Sequence, residues 1–125
     1  MKSEPLLTLL LLAGADDWVS LVDVERIVFP IGGPQIGDEV REKSLRVIRE
    51  VVCRGLMEIG ELDGGFRKWD LPDEEALDRV DREWRASQRQ VLRGDICWLR
   101  NTEKGDAITE ELQRKRDSLR GRGEK

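Results

Sequence analysis

The sequence predicts an α+β fold that is mostly α, with a small antiparallel sheet and one helix inserted between two of its strands. Apolar residues recur at helical spacing in several segments, which glycine, proline and short polar turns separate. The candidate strands are short and lie at residues 18–21, 56–62, 66–69 and 96–99. A chain of 125 residues is long enough for one hydrophobic core, and we expect one domain.

The first predicted element is a helix at residues 5–13 that is apolar on all sides and therefore buried, with Gly14 at its end. The leucine-rich run at 6–12 and the small residues after it also resemble a secretory signal peptide. Glu4 and the shortness of the run favour the buried helix, but a cleaved signal stays open. Since no run reaches the roughly 18 apolar residues of a membrane span, no membrane partner is predicted.

The next segments predict a strand, a short helix and a loop. Residues 18–21 are β-prone. A short helix from Asp23 to Phe29 is closed by Pro30, and residues 31–37 form a loop rich in glycine and proline.

The strongest amphipathic pattern belongs to a third helix, which Asp38 caps and which ends at Arg54 before Gly55. At helical spacing, one side is apolar and the other is polar. The apolar side carries Val40, Ser44, Leu45, Val47, Ile48, Val51 and Val52, and the polar side carries Glu42, Lys43, Arg46, Arg49, Glu50, Cys53 and Arg54.

The second half predicts two strands, a helix, a third strand and a final helix. Pro72 opens the first of these helices, which has acids in its first turn, where the helix dipole favours them. Its apolar stripe consists of Ala76, Leu77, Val80 and Trp84. Residues 86–94 predict a loop, and Thr102 is the expected cap of the final helix, which extends through Leu112. The charged residues that follow are expected to be frayed.

Two motifs bear on the family of the chain. The segment 49–57 has the form of a recognition helix that passes through a Gly-Leu step into a strand. The segment 98–108 has a strand followed by Thr-Glu-Lys-Gly at the start of a helix. Together with the element order, they resemble MarR-like winged helix-turn-helix proteins. The resemblance covers about residues 15–112, and we predict one winged-helix-like domain at 1–112 with a charged tail at 113–125. The wing at 63–95 departs from the family pattern, because it is expanded and contains a helix.

The resemblance and the charge pattern predict a small DNA-binding transcriptional regulator. The chain carries a net charge of −4, but residues 41–54 hold five basic and two acidic residues. On a helix in the major groove of double-stranded DNA, Arg46 and Arg49 would reach base edges, while Lys43 and Arg54 would reach phosphates. An ordinary solvated face, with local pairs such as Arg46–Glu50, is the alternative interpretation of these residues.

A protein-binding module is the second predicted function, such as a toxin-neutralising immunity protein or an antitoxin. Its acidic wing insertion would face a basic partner, and two aromatic residues after a Gly-Gly turn would be exposed anchors. The predicted partner-binding residues are Phe66, Trp69, Asp73, Glu74, Asp78 and Asp81. Trp84 and Trp98 are expected to fill the core.

Composition argues against an enzyme. Histidine and tyrosine are absent, which removes histidine-based catalysis and histidine metal ligands. No phosphate-binding or dinucleotide-binding glycine motif is present. Cys53 and Cys97 predict reduced thiols in a cytoplasmic protein, and Cys53 is either a redox sensor or inert. We therefore predict no catalytic residue, no cofactor and no metal, and we consider a homodimer possible.

Overall fold

The computed structural model describes residues 4–29, 38–87 and 91–123. Its helices and a four-stranded antiparallel sheet confirm the predicted α+β, mostly α class. The predicted loop at 31–37 lies outside the described residues. In chain order the elements are α1 (Glu4–Asp16), β1 (Val19–Ser20), α2 (Leu21–Val28), α3 (Asp38–Cys53), β2 (Met57–Leu62), β3 (Phe66–Lys68), α4 (Asp73–Ala86), β4 (Trp98–Asn101) and α5 (Glu103–Gly123).

The sheet has the strand order β1-β4-β2-β3, and every neighbouring pair is antiparallel. β4 lies in the interior of the sheet, where Leu99 pairs with Val19 on one side and with Ile59 on the other. β2 and β3 form a hairpin around the predicted Gly64-Gly65 turn. α4 is therefore inserted between β3 and β4, as the sequence predicted. The MarR-like resemblance stays a prediction.

Helix α1 differs from its prediction in two ways. Leu10 and Leu11 are buried in the core, but Leu9 is 51% exposed, so the helix is not covered on all sides. The prediction that Gly14 ends α1 is also wrong, because the helix continues to Asp16. Gly14 lies inside the helix at a close contact with the side chain of Asn101.

Helix α3 confirms the predicted amphipathic pattern. It begins at Asp38 itself and ends in a Schellman motif at Gly55, which has a φ of 76°. Leu56 N–H donates to the Val51 carbonyl at 2.8 Å, and Gly55 N–H donates to the Val52 carbonyl at 3.0 Å. The buried side consists of Val40, Arg41, Ser44, Val47, Ile48, Val51 and Val52.

The starts of α2 and β4 differ from the predicted starts because of local backbone features. Asp23 accepts a hydrogen bond from the Ser20 N–H at 3.0 Å, so α2 begins at Leu21 rather than at Asp23. β4 begins two residues later than predicted, because Ile96 has a φ of 71°, which no regular strand accommodates.

Helix α5 is longer than the sequence suggested. Thr102 caps it as predicted, since Gly105 N–H donates to Thr102 Oγ1 at 3.2 Å. The segment expected to be frayed is helical to Gly123. Thr109 is buried and residues 112–113 are half-buried, whereas residues 114–119 are all exposed. The last turns of α5 therefore project from the fold.

None of the helices within residues 4–29, 38–87 and 91–123 combines the length and the apolar character that crossing a bilayer requires.

Candidate functional site: an acidic groove between α3 and α4

Helix α4 packs alongside the helix that the sequence assigned to DNA recognition. Arg41 Nε lies 3.0 Å from Asp81 Oδ1, and Arg49 Nη1 lies 2.6 Å from Glu74 Oε2. The earlier residue of α3 thus pairs with the later residue of α4, so the two helices run antiparallel. Between them lies an open groove of about 550 Å³, which we call the α3–α4 groove. It is lined by Glu42, Leu45, Arg46, Arg49, Glu74, Glu75, Leu77, Asp78, Asp81 and Arg85.

The α3–α4 groove is acidic with an apolar part. Five carboxylates and three guanidinium groups line it, so its formal charge is negative. Leu45 is half-buried and Leu77 is 3% exposed. Such a surface favours a ligand that presents positive charge beside an apolar side chain.

Arg41 holds α4 against α3. Its side chain is 10% exposed, and its Nη1 lies 2.7 Å from Asp38 Oδ1. Asp81 accepts from Arg41 and also from Arg85 Nε at 3.1 Å, and this hydrogen bond raises the pKa of Arg85 above its usual value. A buried cation is tolerated only when its charge is paired, so Arg41 fixes the position of Asp81 and with it of α4.

The ion pair of Arg49 with Glu74 closes one end of the groove. The hydrogen bond between them raises the pKa of Arg49 and lowers the pKa of Glu74. Both side chains are more than half exposed, so the pair orients the arginine more than it stabilises the fold. One of the two predicted base-reading arginines is therefore held by the chain's own acid.

The other predicted DNA contacts lie on the exposed side of α3. Lys43 Nζ lies 5.3 Å from the centroid of the Phe29 ring. Arg54 Nη2 pairs with Glu50 Oε2 at 2.8 Å. Arg46 is exposed, lines the groove and forms no ion pair with a described residue. Lys43, Arg46 and Arg49 are thus on α3, whereas Arg54 directly follows its last residue, Cys53, so the helix ends one residue earlier than predicted. Only Arg46 and Arg49 line the groove.

The predicted exposure of Trp69 is wrong. The indole is 5% exposed, because the Arg79 guanidinium stacks 3.8 Å from its centroid and Glu61 accepts from its Nε1–H at 3.2 Å. Phe66 is half-buried, with the Arg100 guanidinium 4.5 Å from its centroid. Trp69 is a core residue that supports the inserted helix, so it cannot be an interface anchor.

Three of the predicted acidic partner residues do line the groove. Glu74, Asp78 and Asp81 share it with Arg46 and Arg49, so the residues of the two predicted functions meet in one place. Asp73 lies instead beside a small cavity against β2.

Sequence reasoning missed the residues that build and shape the groove. Arg41 and Arg85 anchor Asp81, and Leu45 and Leu77 supply the apolar part. One available signal was charge spacing. The arginines at 41, 46 and 49 and the acids at 74, 78 and 81 each recur every three to five residues, so each set lies along one side of its helix.

The described residues offer no metal centre that would change this assignment. No group of three or more Cys, Asp or Glu side chains within the described ranges has the arrangement of a metal site. The two cysteines are not bonded to each other, and Cys53 is exposed on α3. Burial raises the pKa of the Cys97 thiol to about 12, so it stays protonated. Trp84 is buried as predicted, and Trp98 is half-buried.

A comparison with protein-family models, curated proteins and solved structures found no match for this chain. These comparisons do not support the resemblance noted in the sequence, so the α3–α4 groove is the basis for the functional proposal.

Proposed function

We propose that the protein is a non-catalytic recognition module that binds a basic protein in its acidic α3–α4 groove. A single observation carries this proposal. Arg46 and Arg49, the two arginines that a DNA-reading helix would offer to bases, line a groove beside the carboxylates of α4, and Glu74 already holds one of them.

Shape and charge both disfavour insertion of α3 into DNA. The major groove is about 12 Å wide and admits one helix, whereas α3 carries α4 along its flank. Phosphates approaching the groove would also meet Glu75, whose charge repels them. Base contacts by Arg49 would require it to leave Glu74 and α4 to move away, against the buried Arg41 ion pair.

The same features suit a protein ligand. Asp78 is 75% exposed and has only a loose ion pair with Arg82, at 3.6 Å. Glu75 is exposed as well, so both acids are accessible to lysine or arginine side chains of a partner. Leu45 and Leu77 offer an apolar contact beside them. Complementary charge speeds encounter and selects the partner. A toxin-neutralising immunity protein or antitoxin belongs to this class of function, since it would cover a basic surface of its target.

The test compares two double variants of the full chain. Glu75→Lys/Asp78→Lys reverses the charge of the groove, and Asp16→Lys/Asp63→Lys makes the same change at exposed positions outside it. Proteins captured from the source cells on the wild type are identified, purified and measured by calorimetry.

We expect a basic partner whose affinity for the groove variant falls at least about tenfold while that for the control stays within about twofold. If no purified partner distinguishes the groove variant from the control, the proposal is wrong.

DNA binding remains a second candidate because Lys43 and Arg46 are both exposed on α3. Fluorescence anisotropy with a labelled random-sequence duplex at two salt concentrations separates the two functions. The protein-binding function predicts no salt-sensitive binding of the DNA duplex. Binding that weakens steeply with salt and disappears in Lys43→Glu/Arg46→Glu would instead identify a DNA-binding regulator.

A further inference from the structure

The last described turns of α5 are exposed. α5 packs against α1 and β4, but residues 114–119 are exposed among the described residues. At 1.5 Å per residue, the helix from 114 to 123 is about 15 Å long. A helix of this length gains little from its own hydrogen bonds in water, so a binding surface elsewhere would stabilise it.

This segment, which we call the α5 end, is basic and has one apolar anchor. Residues 114–123 contain five basic residues and one acidic residue. Leu119 is 65% exposed. Lys115 and Arg116 precede it by one helical turn and therefore share its face. The α5 end thus presents two cations beside a leucine.

The α3–α4 groove has the complementary features. Its five carboxylates exceed its three guanidinium groups, and Leu45 and Leu77 lie among them. Along α4, the lining residues run from Glu74 to Arg85, which corresponds to about 17 Å of helix. This length matches the projecting part of α5.

We propose that the α5 end of one copy of the chain binds in the α3–α4 groove of a second copy. Leu119 would pack on Leu45, and the neighbouring cations would pair with Glu75 and Asp78. The contact joins two copies because α5 is fixed to α1 and β4 within its own copy and its end projects away from the fold.

This self-association has a consequence for the proposed function. It occupies the same groove, so an outside partner must displace the α5 end of the neighbouring copy. The inference rests on the groove of the proposed function but not on the existence of an outside partner. Either the self-association or the binding of an outside partner can therefore be wrong while the other is right.

The experiment measures the mass of the full-length wild type by sedimentation velocity over a wide concentration range, at about 50 mM and about 500 mM salt. We expect the mass to rise above the 14.4 kDa of one copy at low salt and to return toward it at high salt. Lys115→Glu/Arg116→Glu and Glu75→Lys/Asp78→Lys should each weaken the association at least about tenfold. A mixture of these two variants should associate again, because the reversed charges are complementary.

Arg67→Glu/Lys68→Glu is the matched control for the α5 end, since it makes the same change of charge at exposed residues of β3. It should leave the association unchanged. A wild type that stays monomeric at low salt overturns the inference. So does an equal effect of the control, or a mixture of the two variants that fails to associate.

Discussion

Gly14 shows how one residue can join two distant elements. A Cβ atom at position 14 would clash with Oδ1 of Asn101, because the direction in which a side chain would extend points at that oxygen. Asn101 cannot easily move, because its Nδ2 donates to the Leu11 carbonyl at 3.0 Å and to Asp106 Oδ1 at 3.2 Å. Among the described residues, no donor reaches the buried Oδ1, so the small Gly14 is what leaves room for this amide oxygen.

We therefore predict that Gly14→Ala lowers the free energy of unfolding by about 2 kcal/mol, although alanine is the better helix former. Urea unfolding followed by circular dichroism measures this change. In the background of Asn101→Ala the same substitution should be neutral or stabilising, because the clash is gone. Equal effects in both backgrounds would contradict the interpretation.

Glu25 is a buried carboxyl group on α2 that gives stability a pH dependence. It is 4% exposed, and neither of its oxygens has a hydrogen-bond partner. Burial raises its pKa from 4.5 to about 7, with the charge of Arg26 opposing the rise. Well below pH 4.5 the Glu25 carboxyl group is protonated in both the folded and the unfolded chain. As the pH rises toward 7, the folded chain keeps a proton that the unfolded chain loses, so stability falls.

We predict that the free energy of unfolding decreases by about 1 to 3 kcal/mol between pH 4.5 and pH 7.5. Urea titrations across this range measure it. Glu25→Gln should remove most of the slope, because glutamine does not titrate. A slope that persists in this variant would assign the pH dependence to other groups. Glu74 would act in the opposite direction, because its hydrogen bond with Arg49 lowers its pKa.

At the scale of elements, the pairing of α3 with α4 depends on two ion pairs of different burial. The Arg41 side chain is 10% exposed and its partner Asp81 is 28% exposed. Arg49 and Glu74 are 53% and 67% exposed, so solvent screens their interaction. The buried pair therefore holds the helices, and the exposed pair orients one end of the groove.

We predict that Arg41→Met destabilises the fold by about 2 kcal/mol, because it removes the buried cation between the helices and leaves the partly buried Asp81 with only the exposed Arg85 as its partner. Arg49→Met is the matched control at the exposed pair and should be close to neutral. Chemical denaturation measures both variants. Similar losses for the two substitutions would show that burial does not distinguish these pairs.

At the scale of the whole molecule, Cys97 reports on opening of the single core. It is 1% exposed, next to β4, and its thiol pKa is raised to about 12. We predict that a thiol reagent at pH 8 labels Cys53 rapidly and Cys97 only at the rate at which the core opens. A kinetic assay of the labelling reaction should show one thiol per chain that reacts fast, Cys53, and one that reacts slowly, Cys97. Urea should accelerate the slow one, and a Cys97 that reacts as fast as Cys53 would contradict its burial.

Local patterns predicted most of the elements correctly. The two sides of α3, the glycine stop at Gly55, the Thr102 cap and the apolar stripe of α4 each depend on residues within a few positions of one another. Such patterns are visible in a single sequence, because the helical period and the capping hydrogen bonds are local. They also predicted that a helix follows the β2–β3 hairpin.

Contacts between distant segments decided the rest. Gly14 lies within α1 at a point that faces Asn101, and Trp69 is buried beneath Arg79. Arg41 is buried because it pairs with Asp81, a residue 40 positions later in the chain. The candidate groove belongs to the same category, because neither α3 nor α4 contains it alone.

Local periodicity was enough to predict an amphipathic third helix with outward arginines and a later helix rich in acids. That these two helices lie side by side and antiparallel follows only from the packing of the chain. Helical periodicity fixes which side chains share a face, whereas the identity of the neighbouring face depends on how the whole chain buries its apolar surface. That packing turned a basic helix face into one wall of an acidic groove.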